Sequence, residues 1–555
     1  MNTTRVTLIH IGDIHGHLVG RMHLRPDQGE GRHLGGLARV YTKIQQIRSR
    51  CQHSLLINTG DTIQGSAEAL FTRGGALIDI LNRFSIDFFA PGNWDFLYGT
   101  ERFIELFAAP DPVAPWNALA ANLYFDGEPY AERNGQRVLP PYAIKTIEGI
   151  RLGIIGFTTD RGPSALGKHP TRGFKMTSGE KELDQLLPYL REKENVHAVI
   201  VISELGLANN IRLAKRYPGI DLVLSSDMHE VTRAPVMLEN GTMIVEEGQD
   251  GTVLGEIELV FQNGQLSTRT FKSHTITEEI EPDTDIAAAI DRIRQPFVSG
   301  PHFVEHINPI NGTRLRRPID TVIGHAAVPL TRAGFSDSEV PAVIEGSSHN
   351  FLCDAFRAVT RADIGAIRGF RFGTHVPPGP ITLDDIYHFI PIGPLIAAGQ
   401  IEGKALVKQL EKAAHGCLSS DVAEWSGGWM FGYSGLQFSL DPYQAAGKRI
   451  MDVHVQNNLG QDWRALDPQQ SYRYGSYYFR HEPEKINGLD AKSIQIVVDE
   501  NNDPIDATEV VARYLADLPD QTAKPDLNRI TLLRPLPKPL YDNPEIQPLG
   551  GCKSD

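Results

Sequence analysis

Side chains that could hold metal ions occur at five places in the first half of this chain. They are Asp13-Ile14-His15, Gly60-Asp61, Asn93-Trp94-Asp95, Glu204 and Asp227-Met228-His229. Carboxylate, amide and imidazole groups are the usual protein ligands of Mg²⁺, Mn²⁺, Ca²⁺ and Zn²⁺. A single Asp-x-His triplet is usually a surface turn. A metal site is therefore predicted only if the fold brings several of these groups together.

Short apolar runs place these polar groups at the ends of predicted strands. The runs are 6–13, 54–61, 87–93, 151–157, 198–204 and 221–227. Helix-like segments lie between them, at 36–50, 76–84, 100–109, 181–194 and 207–217. Strands that alternate with helices predict an α/β layered fold. Ligands bind at the carboxyl ends of the strands in such sheets, so we expect the five polar loops to converge.

The order of these motifs resembles that of the calcineurin-like metallophosphoesterases. Their pattern is D-x-H, G-D, G-N-H-D, a lone histidine at a strand end, and G-H-x-H. The second half of the chain resembles the C-terminal substrate-binding domain of the 5'-nucleotidase family at 345–373, 378–393 and 434–442. The resemblance implies a four-layer αββα metallophosphoesterase domain followed by a second α/β domain.

We expect the domain boundaries to follow this division. The predicted parts are a metallophosphoesterase domain at 1–272, a connector helix and linker at 273–312, a 5'-nucleotidase-type C-terminal domain at 313–530, and an extended tail at 531–555. The connector contains a capped helical pattern that ends at Pro296.

The resemblance also implies a role for each residue in a site with two divalent ions, Mn²⁺ or Mg²⁺, with iron possible at one position. Asp61 would bridge the two ions. The further ligands of the first ion would be Asp13, His15 and His229. Those of the second ion would be Asn93, Glu204 and Asp227. The catalytic turn would consist of Asn93, Trp94 and Asp95.

Three of these positions depart from the family pattern, because Trp94, Glu204 and Asp227 stand where the family has histidine. The site is either a decayed relic or a functional replacement. Carboxylates remain good ligands for hard cations, which favours replacement. Together with Asp13 and Asp61, the new carboxylates make four negative charges, which two divalent ions only neutralise. An all-oxygen second site favours Mg²⁺, Mn²⁺ or Ca²⁺ over Zn²⁺, or permits Fe³⁺.

Trp94 bears on the leaving group. An indole donates one N–H or presents an apolar face, so it cannot protonate a leaving oxygen as histidine does. The stretch G-N-W-D-F-L-Y-G at 92–99 resembles G-H-W-E-F-T-Y-G of the SoxB thiosulfohydrolases, and G-F-R-F-G at 369–373 resembles their G-F-R-W-G. This resemblance implies a leaving group that needs no proton. SoxB proteins differ from this sequence in being exported and in keeping the histidine ligands. The alternative interpretation of Trp94 is an indole packed in the core.

Four residues of the second domain are candidate substrate-binding groups. Arg368 and Arg371 lie in a glycine-containing loop after a predicted strand, where a guanidinium can pair bidentately with an anion. Trp429 and Phe431 either stack on a base or belong to the core. The G-G-D-G-Y motif of the nucleotidases is missing, which leaves specificity for a nucleoside open.

Composition and charge limit the classes of partner that the chain is expected to bind. With 555 residues, 41% hydrophobic and 22% charged, the chain predicts at least two domains with cores of their own. A net charge of -14 without clustered Lys and Arg argues against nucleic acid and against membranes as partners. No signal peptide or membrane span is apparent, which predicts a cytoplasmic protein, or a periplasmic one if a leader was removed. The four cysteines predict neither a disulfide framework nor a zinc ribbon.

The sequence therefore predicts a dinuclear-metal-dependent hydrolase of phosphoric monoesters or related anionic esters, similar to the 5'-nucleotidases. Its partner would be a small anionic substrate, either a nucleotide or another phosphoester. One alternative is a SoxB-like thiosulfohydrolase that releases sulfate from a sulfonate bound to a sulfur carrier. The other is a non-catalytic binding protein that contains metal. The natural substrate and the oligomeric state stay open.

Overall fold

The fold is described from a computed structural model of the chain. The structure describes residues 3–23, 31–229, 231–331, 344–367, 375–422, 424–425, 430–456 and 462–536. The chain forms two compact units, and the main division falls after Arg294. Unit 1 comprises Met1–Arg21, Arg32–Gln64 and Thr72–Arg294; unit 2 comprises Met22–Gly31, Gly65–Phe71 and Gln295–Asp555. This division lies within the predicted connector, and the domain boundaries themselves stay a prediction.

Unit 1 contains a five-stranded sheet built around the first strand of the chain. In order across the sheet, the strands are Gln265–Thr275, Val253–Gln262, Thr3–Ile11, Ser54–Asn58 and Phe88–Phe89. The last three run parallel, so the loops after them lie at the same sheet edge. The first two form a hairpin around Asn263 and Gly264, which have φ of 49° and 81°. Such positive φ values are typical of an Asn-Gly hairpin turn.

A six-stranded sheet forms the other half of this unit. Its strands, in order, are Val236–Met237, Met243–Glu246, Leu222–Ser225, Ala198–Ser203, Ile150–Phe157 and Tyr142–Ile147. The central four are parallel. All six residues of Ala198–Ser203 are buried, as expected for an apolar strand covered on both faces. One hydrophobic core joins the sheets, with Leu8 and Ile57 from the first and Ile154 and Ile200 from the second.

Helices occupy the predicted segments of unit 1, with breaks that the sequence pattern does not show. The α-helices are Leu37–Arg48, Gly75–Leu81, Thr100–Phe103, Gly162–Leu166, Glu180–Pro188, Leu207–Arg216 and Thr284–Arg294. The predicted helix 181–194 ends its α-helical part at Pro188 and continues as a wider π-type turn, Tyr189–Lys193. A proline ring removes one hydrogen bond of the helical ladder, which accounts for the change at this position.

Unit 2 has a mixed sheet and a separate core. In order, the strands are Gly432–Ser434, Ile364–Ile367, Ser471–Tyr478, Leu395–Glu402 and Lys492–Ile496. Its core includes Leu406 and Leu410 of the helix Gly403–Leu418 packed with Tyr472 and Tyr474. The remaining α-helices of the described chain are Ala67–Phe71, Ser347–Thr360, Leu383–Phe389 and Ala507–Ala516. The predicted two-domain α/β architecture is confirmed.

Smaller sheets complete unit 2. A three-stranded sheet contains Gly379–Thr382, Val322–Ala326 and Thr522–Ala523, and a four-stranded sheet contains Trp463–Ala465, Ile450–Gln456, Leu436–Leu440 and Ile530–Leu532. Short strands elsewhere in the chain are Arg21–His23, Arg32–Leu34, Leu123–Phe125, Phe174–Met176, His306–Ile307, Arg314–Leu315, Lys485–Ile486 and Leu489–Asp490. The predicted tail begins inside the strand Ile530–Leu532, and 537–555 lie outside the described residues. Within the described ranges, every helix is too short or too polar to cross a bilayer.

Candidate metal centre

Five of the seven predicted ligands of unit 1 lie in sharp backbone turns after strands. The residues Asp13, His15, Asp61, Asp227 and His229 have φ of 47°, 45°, 46°, 96° and 60°. Non-glycine residues rarely adopt positive φ, although Asp, Asn and His tolerate it better than others. Each such residue costs about 1–3 kcal/mol, and such strain clusters at functional sites. Five residues that the motifs select thus belong to the set of non-glycine residues with positive φ, which also includes residues elsewhere in the chain.

Four of these side chains meet in one buried cluster. Each of Asp13, His15, Asp61 and His229 offers one ligand atom, and these atoms all lie within 4.8 Å of one another. The Nε2 atoms of the two histidines are 2.8 Å apart, and His15 Nε2 lies 3.5 Å from Asp61 Oδ2 and 3.6 Å from Asp13 Oδ1. Two carboxylates and two imidazoles at this spacing are a donor set suited to a divalent transition-metal ion. These residues fit the first predicted ion.

Burial sets the protonation of this cluster. It lowers the pKa of His15 to about 4, although Asp95 and Gln64 act in the opposite direction. A neutral imidazole is the form that binds a metal ion. Burial also raises the pKa of Asp61 well above its ordinary value, and the neighbouring carboxylates of Asp13 and Asp95 raise it further. A buried group of like charges such as this one is stabilised by a cation.

Two further predicted ligands present oxygen atoms beside this cluster. Glu204 is fully buried; Ser226 donates a hydrogen bond to its Oε2, whereas Oε1 has no hydrogen-bond partner in the described part of the chain. The same holds for Asn93 Oδ1, also buried. Burial raises the pKa of Glu204 well above its ordinary value, with Asp61 and Asp13 as further causes. Unsatisfied buried oxygens beside the Asp61 carboxylate fit a second hard cation.

Asp227 differs from the other predicted ligands, because protein groups engage its whole carboxylate. Asn93 Nδ2 donates to Oδ1 at 2.9 Å, and Arg161 Nη2 forms an ion pair with Oδ2. Its backbone N–H donates to Asp13 Oδ2 at 3.0 Å. Arg161 was not among the predicted site residues. It follows the strand Ile150–Phe157 in the loop Thr158-Thr159-Asp160-Arg161, so the strand-end rule that selected the other residues also applies to it.

The turn at 93–95 holds Asp61 in place. Trp94 N–H donates to Asp61 Oδ1 at 2.7 Å, and the Trp94 side chain is half-buried. Both Asp95 oxygens accept backbone N–H groups, namely those of Thr62 at 2.9 Å, Ile63 at 3.1 Å and Gly92 at 2.8 Å. Asp95 was predicted to be catalytic. Its contacts fix the loop after Ser54–Asn58 against the loop after Phe88–Phe89. Its catalytic role stays a prediction.

The candidates of the second domain are only partly described. Phe431 is half-buried and lines a small cavity in unit 2 together with His349 and Arg529. The Nη2 of Arg529 pairs with both carboxylate oxygens of Asp354 at 2.7 Å, so this guanidinium is already engaged. Arg368, Arg371 and Trp429 lie outside the described residues, and their predicted substrate contacts stay predictions.

Family comparisons agree with this architecture. Residues 6–231 match the calcineurin-like phosphoesterase family, and residues 322–484 match the 5'-nucleotidase C-terminal domain. The chain thus contains a calcineurin-like phosphoesterase domain followed by a 5'-nucleotidase C-terminal domain. Named relatives of this chain are phosphoesterases and 5'-nucleotidases, which are metal-dependent hydrolases.

Individual comparisons show the same fold with low identity. The chain is 22% identical over 482 residues to the trifunctional nucleotide phosphoesterase YfkN of Bacillus subtilis, covering 80% of this chain and 31% of that longer protein. A 5'-nucleotidase precursor from Thermus thermophilus has a TM-score of 0.76 and 22% identity, covering 96% of this chain and 100% of that one. The sulfate thiohydrolase SoxB, also from Thermus thermophilus, has a TM-score of 0.77 and 20% identity, covering 98% of both chains. The fold alone thus does not separate the two activities.

Proposed function

We propose that the chain hydrolyses phosphoric monoesters or closely related anionic esters, with nucleotides as the leading substrate class. The observation that carries the proposal is the buried group of Asp13, His15, Asp61 and His229, whose ligand atoms lie within 4.8 Å of one another. The nucleotide class rests on similarity to relatives named as 5'-nucleotidases, from Haemophilus influenzae, Treponema pallidum and Crotalus adamanteus. Divalent ions at such a site supply an activated water and neutralise the charge that develops on the substrate oxygens.

The residues of this chain prepare the site in three ways. Burial keeps His15 neutral at physiological pH, so its ring nitrogen is available as a ligand. Trp94 N–H fixes one oxygen of Asp61 and leaves Oδ2 to face the cluster. Asn93 donates from Nδ2 to Asp227, and this orients its Oδ1 as the remaining ligand atom. Each contact fixes a metal-ligand atom in place before any substrate binds, which reduces reorganisation of the site during the reaction.

A SoxB-like thiosulfohydrolase is the second candidate, and Trp94 is the observation that favours it. The indole occupies the place of the family's proton-handling histidine in the turn Trp94–Phe96. A sulfur anion leaves without a proton, whereas an alkoxide of a nucleotide requires help. The two candidates share the metal site and differ in the leaving group.

A panel of esters tests both candidates. Protein loaded with Mn²⁺ would be assayed with an aryl phosphate, with adenosine monophosphate, and with an S-sulfonated cysteine peptide. Hydrolysis of either phosphate supports the phosphoesterase, and release of sulfate from the peptide alone supports the thiosulfohydrolase. No turnover of any of the three by protein that holds metal would reject the enzyme and leave the binding protein as the explanation.

A further inference from the structure

Arg161 introduces a positive charge into the cluster from a loop that none of the motifs includes. It immediately precedes the short helix Gly162–Leu166, and its backbone N–H donates to Thr159 Oγ1 at 3.0 Å, which fixes the loop. Its side chain is 24% exposed, whereas that of its partner Asp227 is 2% exposed. The guanidinium therefore reaches from the surface of unit 1 to a buried carboxylate beside the metal ligands.

Protein donors engage both carboxylate oxygens of Asp227. Its Oδ1 accepts from Asn93 Nδ2 at 2.9 Å, and its Oδ2 pairs with Arg161 Nη2. Each of these donors competes with a cation for the lone pairs of the oxygen that it contacts. The same hydrogen bond directs the opposite atom of the amide, Asn93 Oδ1, away from Asp227. Asp227 thus positions Asn93 as a metal ligand without having to bind the metal itself.

The charge of the site changes accordingly. Asp13, Asp61, Glu204 and Asp227 contribute four negative charges, and Arg161 returns one positive charge. With two divalent ions the cluster then carries one net positive charge instead of none. A dianionic substrate is attracted to a positive cluster, and the sequence-based expectation lacked this charge. Arg161 therefore offsets one of the two negative charges that Glu204 and Asp227 add where the family has histidine.

Some N–H groups of the Arg161 guanidinium remain available as hydrogen-bond donors. Both side-chain contacts that Arg161 makes within the described residues, to Asp227 Oδ2 and to Met228 Sδ at 2.9 Å, use Nη2. A guanidinium has five N–H donors in a planar fork, so Nε and Nη1 can still donate to an oxyanion. Burial lowers the pKa of Arg161, but the neighbouring carboxylates of Asp227 and Asp160 raise it, and with them the pKa lies above its ordinary value, so the group stays charged.

We propose that Arg161 binds the anionic group of the substrate, and that Asp227 is the buried counter-ion that positions Arg161 and Asn93 rather than a metal ligand. The second ion is then held by Asp61, Asn93 and Glu204. This inference rests on the proposed function for the location of the substrate. Its experiments measure metal and anion binding, not turnover, so its failure is distinguishable from failure of the proposed function.

The first experiment compares the same isosteric change at two carboxylates. Asp227→Asn and Glu204→Gln would each be loaded with Mn²⁺, dialysed, and analysed for metal content and for the coupled two-ion signal in electron paramagnetic resonance. We expect Glu204→Gln to lose about one of two ions and Asp227→Asn to keep both. Equal metal content in the two variants, whether both lose an ion or neither does, would overturn the assignment.

The second experiment measures binding of inorganic phosphate to Mn²⁺-loaded protein by calorimetry. Arg161→Ala should keep its metal and bind phosphate about 10- to 100-fold more weakly, in line with the loss of charge-assisted hydrogen bonds. Arg161→Lys should recover only part of the affinity, because an ammonium lacks the fork. The matched control is Arg191→Ala, which removes an arginine 30% exposed and paired with Asp221. Phosphate affinity of Arg161→Ala within twofold of the control would overturn the role of Arg161.

Discussion

At the scale of single residues, the candidate metal centre combines side chains that follow strands with hydrogen bonds between distant parts of the chain. Asp13, His15, Asp61 and His229 were found because each follows an apolar run, and they form the observed cluster. Arg161 was missed because it belongs to no motif, although it lies four residues after the end of its strand, as His15 and His229 do. Which oxygen faces which donor depends on atoms more than one hundred residues apart in sequence, such as Asn93 and Asp227, and no local pattern encodes that.

Trp94 leads to a prediction about leaving groups. Without a proton donor the rate depends on the intrinsic stability of the leaving group, so it should fall steeply from activated phenols to simple alcohols. Trp94→His should recover part of the loss for alcohols, below the ~10²–10⁴-fold typical of one acid–base residue, because Asp95 already accepts three backbone N–H groups.

The measurement is a series of aryl and alkyl phosphates assayed with the wild type and the variant. Trp463→His serves as the control, since Trp463 is 38% exposed and lies in unit 2. A shallow dependence in the wild type, or equal effects of both substitutions, would mean that Trp94 does not determine the leaving-group preference.

At the scale of elements, apolar runs located the strands and missed how closely the loops between them approach. The run 87–93 becomes a two-residue strand, Phe88–Phe89, and most of the remainder forms the loop that contacts Asp61. A Cβ added to Gly92 would lie 2.2 Å from Asp61 Oδ1, and one added to Gly60 would lie 2.4 Å from Gly92 N. Glycine is required at both positions because the two loops touch backbone to backbone. Periodicity describes one element at a time and cannot show such a contact.

Gly92→Ala should therefore destroy the metal site. The added methyl group displaces Asp61 and breaks the hydrogen bond from Trp94 N–H, so bound Mn²⁺ and hydrolysis should both fall by at least tenfold. This corresponds to about 1.4 kcal/mol or more. Gly75→Ala is the matched control, because the nearest atom to its added Cβ is 3.6 Å away. Metal analysis and circular dichroism of both variants check the result, and normal Mn²⁺ content in Gly92→Ala would contradict the described loop contact.

At the scale of the whole molecule, each unit has a core of its own, as the length and composition predicted. The resemblance to two domain families identified the architecture, whereas composition alone gave only the number of domains. The relation of substrate-binding residues to the metal centre could not be derived, because it depends on Arg368, Arg371 and Trp429, outside the described residues. A metal-free unit 1 must also accommodate several buried carboxylates, which affects the stability of the folded chain.

That stability should depend on pH in a defined direction. Burial raises the pKa of Asp61 and of Glu204 above their ordinary values of 3.8 and 4.5. The metal-free folded state thus binds more protons than the unfolded state. The contribution of these two carboxyl groups to stability is fully present below their ordinary pKa values and is lost as pH rises through the raised pKa values.

Thermal unfolding measured with chelator should show the melting temperature falling as pH rises, and saturating Mn²⁺ should reduce the fall. At 100 times the dissociation constant, bound metal adds about 2.7 kcal/mol. Glu204→Gln should show a weaker pH dependence in chelator than the wild type, because one of the two carboxylates is removed. A melting temperature of the chelated wild type that rises over this range would contradict the described burial of the carboxylates.

The most direct test of the two-metal assignment is the metal-dependent hydrolysis of an aryl phosphate by the wild type and by Asp61→Asn. Asp291→Asn, which changes an exposed aspartate on the helix Thr284–Arg294, is the control. We predict that chelated wild type is inactive, that Mn²⁺ restores turnover, and that Asp61→Asn shows neither turnover nor a full metal complement whereas the control shows both. Turnover by Asp61→Asn at the wild-type rate with two bound ions would contradict the assignment.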